Sequence, residues 1–473
     1  MKLILILFIF FSFSIAKDYQ EWLKFQNNQY SNYKINLDKE FSNMLKKDWK
    51  SFKSFSNPLP YKKPKPLVIP IIKKPQQLQK KEQNFSPIIT NLPVKEIIYK
   101  DIQVISKPDK GFNINSFNFY STPIHIHYDK KTSFTSDLIT KESISKFWDS
   151  MNKTNYHKVL EQIELYEKNL NLNDWAKYQL IHKTGLSIFQ TENKANLFTW
   201  FILVKMGYDT KVGYHNDKVY LLSTVEHNLF QVAFFILKEK KYYILTPNGK
   251  AKNIGNIYTY KGNYPKADKE LSFYMFQELK LYNNIYKKSL HFMYNGTKHI
   301  INTEYSSNLI NFYKTFPQSD YNIYFNTKNS TLLSNSLLIE LASLVKGKTE
   351  IEAVNMLLRF VQTAFKYKTD KKQFYSEKVM FPEETINYPY SDCEDRSIMF
   401  SYLIKNLLHI DVIGIKYNDH LATAVALSSN ISSDEFSYNN KQFTIADPTY
   451  INANIGVSMP QYKNSKFKVI AFK

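Results

Sequence analysis

The spacing of apolar residues changes along this chain, and each change predicts an element. Between Lys17 and Lys53 the residues Trp22, Phe25, Phe41, Met44, Leu45, Trp49 and Phe52 recur at roughly helical spacing, which predicts one or two amphipathic helices. Around "GFNINSFNFYSTPIHIHYD" the alternation shortens to period two, the mark of strands. From Ser143 to Phe201 the helical period returns, with Asn171 or Asn173 as a cap. The runs "KVYLLST", "FQVAFFILK" and "KKYYILTP" then read as strands, and residues 286–326 read as β-rich. A second helical block, "NSLLIELASLVKGKTEIEAVNMLLRFVQTAFKY", breaks at Lys348 through Glu350. It leads to a loop, a helix from Asp392 and strands to the end.

Two stretches stand outside this pattern. An apolar run from Leu3 to Ile15 follows one lysine, and Ser14 and Ala16 supply the small residues of a cleavage site, so residues 1–16 read as a signal peptide. An exported protein, periplasmic or extracellular, is expected. No later run approaches the ~20 apolar residues of a membrane span. The second stretch, "NPLPYKKPKPLVIPIIKKPQQLQKKEQ", repeats proline, which removes backbone donors and favours an extended linker. No sequence feature marks it as a proline docking motif.

One block occurs twice. "FTWFILVKMGYDTKVGYHND" from Phe198 aligns without a gap on "FSYLIKNLLHIDVIGIKYND" from Phe400, each reading as helix, turn and strand. Thr191 then stands where the second copy has Cys393, which makes the first copy a non-catalytic relative.

Composition narrows the chemistry. The 473 residues carry a formal net charge of +21, but the lysines are spread along the chain and accompany a general enrichment in Lys, Asn, Ile, Tyr and Phe. Export argues against a nucleic-acid partner. His125 and His127 share one face of a strand, yet a pair is not a zinc ligand set, and no metal or other cofactor is assigned. Cys393 is the only cysteine and cannot pair within the chain.

The surroundings of Cys393 suit a nucleophile. Asp392 is a good N-cap, Asp395 three residues on approaches a capping box, and Cys393 falls in the first helical turn, where the helix dipole favours a thiolate. Glu394 and Asp395 need not point at the thiol, since residues one and two positions on face other directions. Asp395 could bind or orient substrate, and Arg396 could offset the charge. Downstream, His420 opens the β-prone run in "KYNDHLATAVALS", and Asp447 ends the strand in "KQFTIADPTY". Antiparallel neighbours would bring them together, unless a hairpin at Asn439-Asn440 inserts "EFSY" between them.

This set resembles the transglutaminase-like superfamily, a branch of the papain-like cysteine enzymes. The matching pieces are "EAVNMLLRFVQTAFKY", "DCEDRSIMFSYLIKNLL", "YNDHLATAVAL" and "FTIADPTY", over about Ser336 to Lys463. The resemblance implies Cys393 as nucleophile, His420 as general base and acid, and Asp447 as the group holding the imidazole. The backbone N–H of Cys393 would serve the oxyanion, and Tyr388 or Tyr390 could add a hydroxyl. Animal crosslinking enzymes of this family have Gln before and Trp after the nucleophile. Here Asp392 and Glu394 stand there, and with Asp395 two residues after the cysteine the chain looks more like the bacterial exported members that carry an acid at that position.

The expected fold is α+β. It comprises an amphipathic and Lys/Pro-rich segment (17–110), an N-terminal α/β domain that would be a degenerate copy (111–285), a β-rich connection (286–335) and a transglutaminase-like domain of helices on an antiparallel sheet (336–473). The expected function is an exported thiol peptidase or amidase acting on protein or peptide amides of the cell envelope, cell-wall peptide being a narrower variant. Two alternatives stand: a non-catalytic envelope scaffold, and a protein-glutamine transglutaminase.

Overall fold

A computed structural model describes residues 2–47, 49–58, 69–73, 110–428 and 433–471, without the side chains of residues 2–18, 20, 27, 30 and 31. Most of the proline-rich linker, residues 59–68 and 74–109, and the side chains of residues 1–16, the expected signal peptide, lie outside the described residues. Among the described residues no helix is long and apolar enough to cross a membrane.

Helix α1 (Lys2–Leu45) is one continuous helix and ends earlier than its apolar spacing predicts. Trp49 and Phe52 belong to a strand, β1 (Trp49–Lys53), followed by β2 (Phe55–Ser56). A hairpin, β3 (Phe112–Phe119) and β4 (Thr122–Asp129), comes next. Four helices follow: α2 (Lys141–Asn152), α3 (His157–Leu170), α4 (Asp174–Phe189) and α5 (Glu192–Lys205). Both candidate caps act. Asn171 ends α3 in the left-handed region at φ 52°, and Asn173 Oδ1 accepts the Ala176 N–H at 3.0 Å to start α4.

The chain then lays down β5 (Thr210–His215), β6 (Lys218–Ser223), β7 (Ala233–Leu237), β8 (Lys240–Leu245) and β9 (Asn256–Tyr260) as an antiparallel sheet in the order β9-β5-β6-β8-β7. β1 pairs with β9 at one edge and β2 with β7 at the other, although only Ser54 separates β1 from β2. That segment closes the sheet on itself and removes its free edges.

A second unit opens on another hairpin, β10 (Ile285–Tyr294) and β11 (Thr297–Ser306). The β-rich reading of residues 286–326 holds only that far, because α6 (Ser307–Thr315) and α7 (Tyr321–Phe325) follow. Next come α8 (Thr331–Leu333), a π-helical turn at Ser334–Leu338, α9 (Ile339–Val345) and α10 (Glu350–Ala364), the last capped by Thr349 at the predicted break. Short elements β12 (Lys366–Tyr367), α11 (Asp370–Phe374), α12 (Pro382–Asn387) and β13 (Tyr390–Ser391) lead to α13 (Cys393–Leu403). Strands β14 (Val412–Lys416), β15 (Leu421–Val425), β16 (Glu435–Tyr438), β17 (Lys441–Ala446) and β18 (Lys468–Ile470) form the final sheet, in the order β18-β14-β15-β17-β16.

Numbered in chain order, both sheets read fifth, first, second, fourth, third, with every pair antiparallel. Each follows a hairpin packed on a helix: Ser187 of α4 bonds Asn115 of β3 at 2.7 Å, and Phe360 of α10 meets Phe292 of β10 edge-on at 5.4 Å. The sequence likeness between Phe198 and Phe400 is thus the centre of a larger topological correspondence. One hydrophobic core runs through both units, from Phe41 to Ile470, and a smaller cluster holding Ile415, Tyr417, Met459 and Tyr462 lines the last sheet.

Candidate active site

Cys393 is the first residue of α13, and a strand pairing and two side chains hold that helix start in place. β13 pairs with β12 just before it, placing Tyr367 opposite Ser391. Asp395 accepts the Asp392 N–H at 3.0 Å with one oxygen and the Met380 N–H at 2.9 Å with the other. The fully buried Arg396 donates to Gln362 O (3.3 Å) and Phe365 O (2.6 Å) at the end of α10, and to Ser391 Oγ (3.2 Å). Carbonyls at a helix C-terminus lack intrahelical donors, so a buried guanidinium answers them well. Burial draws Arg396 down to about 10, against the upward pull of Tyr367, Asp392, Asp395 and Cys393, so it remains a cation at neutral pH.

The thiol itself meets an acid. Cys393 Sγ donates to Glu394 Oε2 at 2.8 Å, with both residues buried. Adjacent helical residues usually diverge, but in the first turn a glutamate can fold back over the preceding side chain. A carboxylate at that distance favours the protonated thiol. Glu394→Gln is therefore expected to raise alkylation of Cys393 at pH 7 by about tenfold, because the attacking thiolate would no longer form against a carboxylate in hydrogen-bond contact. Stopped-flow labelling reads it directly; a fall in rate would instead make Glu394 the acceptor of the thiol proton.

His420 and Asp447 come from neighbouring strands. Tyr417 N–H donates to His420 O at 2.9 Å, closing a two-residue loop that leaves His420 just ahead of β15. β15 pairs directly with β17, Thr423 opposite Ala446, and the next residue is Asp447. β16 lies outside β17, where Asn439 and Asn440 take φ 48° and 60° in the hairpin turn, so "EFSY" does not separate the pair. The His420 Nε2–H donates to Asp447 Oδ2 at 2.8 Å, both residues buried, which leaves Nδ1 to exchange protons. Asp447 Oδ1 also accepts the Thr449 N–H at 2.8 Å.

The two halves meet through residues that the sequence pattern does not single out. Ser397 Oγ, one turn beyond Cys393, donates to Leu421 O at 3.0 Å. Gln362 accepts Arg396 with its backbone carbonyl, while its side-chain amide donates to Asp447 O (3.2 Å) and Ala453 O (3.0 Å). Tyr462 stacks on the His420 ring at 4.9 Å and 12°, with its hydroxyl on Asp419 at 2.9 Å. Burial, then Asp419, then the charges of Cys393 and Asp447 push its phenol well above the ordinary range. Gln362 stands as a polar residue between Phe360, Val361 and Phe365 near the end of α10, a signal that could have drawn attention to it; Tyr462 offers none.

The remaining candidates take structural positions. Both Asp395 oxygens accept backbone donors, so it holds the helix start rather than facing substrate. Tyr388 packs edge-on against Phe374 at 4.9 Å, burial raising its phenol, and Lys368 sits over the Tyr390 ring at 4.8 Å. His125 Nδ1 pairs with Ser116 Oγ at 2.8 Å, and the backbone of buried His127 bonds Gln162. Carboxylate oxygens of Asp370, Asp392 and Glu394 converge within 4.8 Å of one another, the donors a hard cation would meet here.

The first unit carries other residues at the corresponding positions. The β5–β6 hairpin has Asn216-Asp217 where β14–β15 has Asn418-Asp419, so Lys218 stands in the place of His420. Leu221 faces Leu245 as Thr423 faces Ala446, which puts Thr246-Pro247 where Asp447-Pro448 lies. With Thr191 at the start of α5, none of the three chemical groups recurs there.

Residues 336–456 match a family model described as a transglutaminase-like domain. No curated protein and no solved structure matches the chain.

Proposed function

We propose that the transglutaminase-like domain at residues 336–456 is a cysteine-dependent acyl-transfer enzyme that hydrolyses amides of proteins or peptides outside the cell. The buried His420–Asp447 pair, set beside the helix that begins with the sole cysteine, carries this reading. His420 Nδ1 takes the Cys393 proton and the thiolate attacks the amide carbonyl. The backbone N–H of Cys393, at the positive end of the α13 dipole, is the donor that would serve the oxyanion. His420 then protonates the leaving amine and an acyl-thioester remains. Water, losing a proton to the same nitrogen, releases the acid and restores the thiol. Export and an envelope substrate rest on the leader sequence.

Hydrolysis is preferred to crosslinking because Asp392 and Glu394 replace the neutral neighbours of crosslinking enzymes, and amine transfer requires an acceptor site that excludes water. The absence of a second Cys-His-Asp set leaves the first unit as a scaffold. A peptide mixture incubated with the protein in the presence of a fluorescent primary amine separates the readings. New peptide termini or ammonia release, lost in Cys393→Ala, is expected. Amine incorporation in excess of hydrolysis would establish transfer instead, and no Cys393-dependent product would favour a non-catalytic scaffold.

A further inference from the structure

Residues 69–73 of the proline-rich linker are described, and three of them, Pro70, Ile71 and Ile72, pair with the second unit. Ile71 bridges Ile451 in parallel pairing; Pro70 O accepts the Ile451 N–H at 3.1 Å, and the Ile72 N–H donates to Ile451 O at 2.9 Å. Asn452 Nδ2 adds a third bond, to Ile72 O at 2.8 Å. The Ile71 side chain is 62% exposed, so main-chain bonds hold the segment rather than apolar burial. Main-chain pairing of this kind accepts many sequences, because backbone groups rather than side chains supply the affinity.

The edge belongs to the turn that follows Asp447. Tyr450 N–H donates to Asp447 O at 3.3 Å, and Asn452 N–H donates to Gln362 Oε1 at 3.1 Å. Gln362, 1% exposed, holds Asp447 O with the nitrogen of that same amide. One buried side chain therefore joins the backbone that receives the linker to the residue that orients His420. We infer that Ile451–Asn452 is a docking edge for an extended peptide beside the active site, with Ile69–Lys73 as its resident ligand, which another peptide must displace. This deepens the amidase reading by giving a polypeptide substrate a place to lie, but its test is binding and needs no turnover.

Ile72→Pro removes one donor from a half-buried surface segment and should free the edge without disturbing the fold, as circular dichroism would verify. A fluorescein-labelled peptide VIPIIKK, followed by anisotropy, is expected to bind Ile72→Pro with a Kd below about 1 mM, since a short tether supplies only about millimolar effective concentration. Wild type, whose own linker competes, should bind several-fold more weakly. Adding Asn452→Ala to Ile72→Pro should weaken binding by about fivefold, the effect of one net hydrogen bond. Equal binding to wild type and Ile72→Pro, indifference to Asn452→Ala, or no binding at several millimolar would overturn the inference. Because the assay runs equally in Cys393→Ala, a failure of catalysis would leave it unaffected.

Discussion

Replacing His420 with alanine is expected to lower amide turnover by about 10²- to 10⁴-fold, the usual contribution of a positioned acid and base. Among the described residues His420 is the one imidazole placed by hydrogen bonding to a buried carboxylate beside α13, and neither Glu394 nor Asp395 offers an equivalent. As an anion at neutral pH, a carboxylate can accept a proton but cannot return one efficiently to a leaving amine. Because Cys393 is the sole thiol, alkylation followed by intact mass gives a single, unambiguous signal across pH 5 to 9. Wild type should label readily near neutrality, and His420→Ala only as the solution becomes alkaline. Equal labelling of both at pH 7 would remove the case for an activated thiol. Asp447→Asn should give the same profile in weaker form, since the asparagine still holds the ring but loses the charge that stabilises an imidazolium.

Arg396→Leu should produce the largest loss of stability. Its guanidinium is 1% exposed, spans Gln362, Phe365 and Ser391, and lies 5.4 Å from the Tyr367 ring. Leucine would fill part of the volume but leave two helix-end carbonyls without donors. It would also strip the nearby buried carboxylates Asp392 and Asp395 of their cation. Leaving buried carbonyl groups without donors costs about 1 to 3 kcal/mol each, and more where nearby buried charges lose a counter-charge. Arg396→Lys should recover only part of this, because an ammonium cannot reach three acceptors from one planar fork. Urea denaturation followed by tryptophan fluorescence measures the effect; a loss smaller than about 1 kcal/mol would mean that the carboxylates are neutral in the fold.

The chemistry was more legible than the support around it. Cys393, His420 and Asp447 each sit at the end of an element, and element ends follow from local signals: a capping acid, a two-residue turn, a strand stopped by proline. The internal repeat was visible for the same reason, as helix, turn and strand have short-range patterns. Trp49 and Phe52 were misplaced because aromatic residues spaced three or four apart fit a helix, while their pairing with β9 depends on residues some 200 positions away. Residues 307–326 read as strand because Tyr, Phe and Ile favour strands locally; burial against Phe381 instead holds Tyr313 and Tyr324 in helices.

The sequence by itself determined the α+β class, the main helical blocks and the strands that follow them, and one cysteine, one histidine and one aspartate in the order that the family resemblance expects. Those properties depend on periodicity and on residue chemistry, which are local. Tertiary structure alone decided that Glu394 turns onto the thiol, that Asp395 is spent on backbone donors, and that Gln362 joins the Cys393 helix to Asp447. It also decided that Tyr462 covers His420 and that the linker lies beside Asp447. Each is a contact between side chains or backbone groups whose partner is chosen by packing and by the need to satisfy buried polar groups, and linear spacing does not encode that choice.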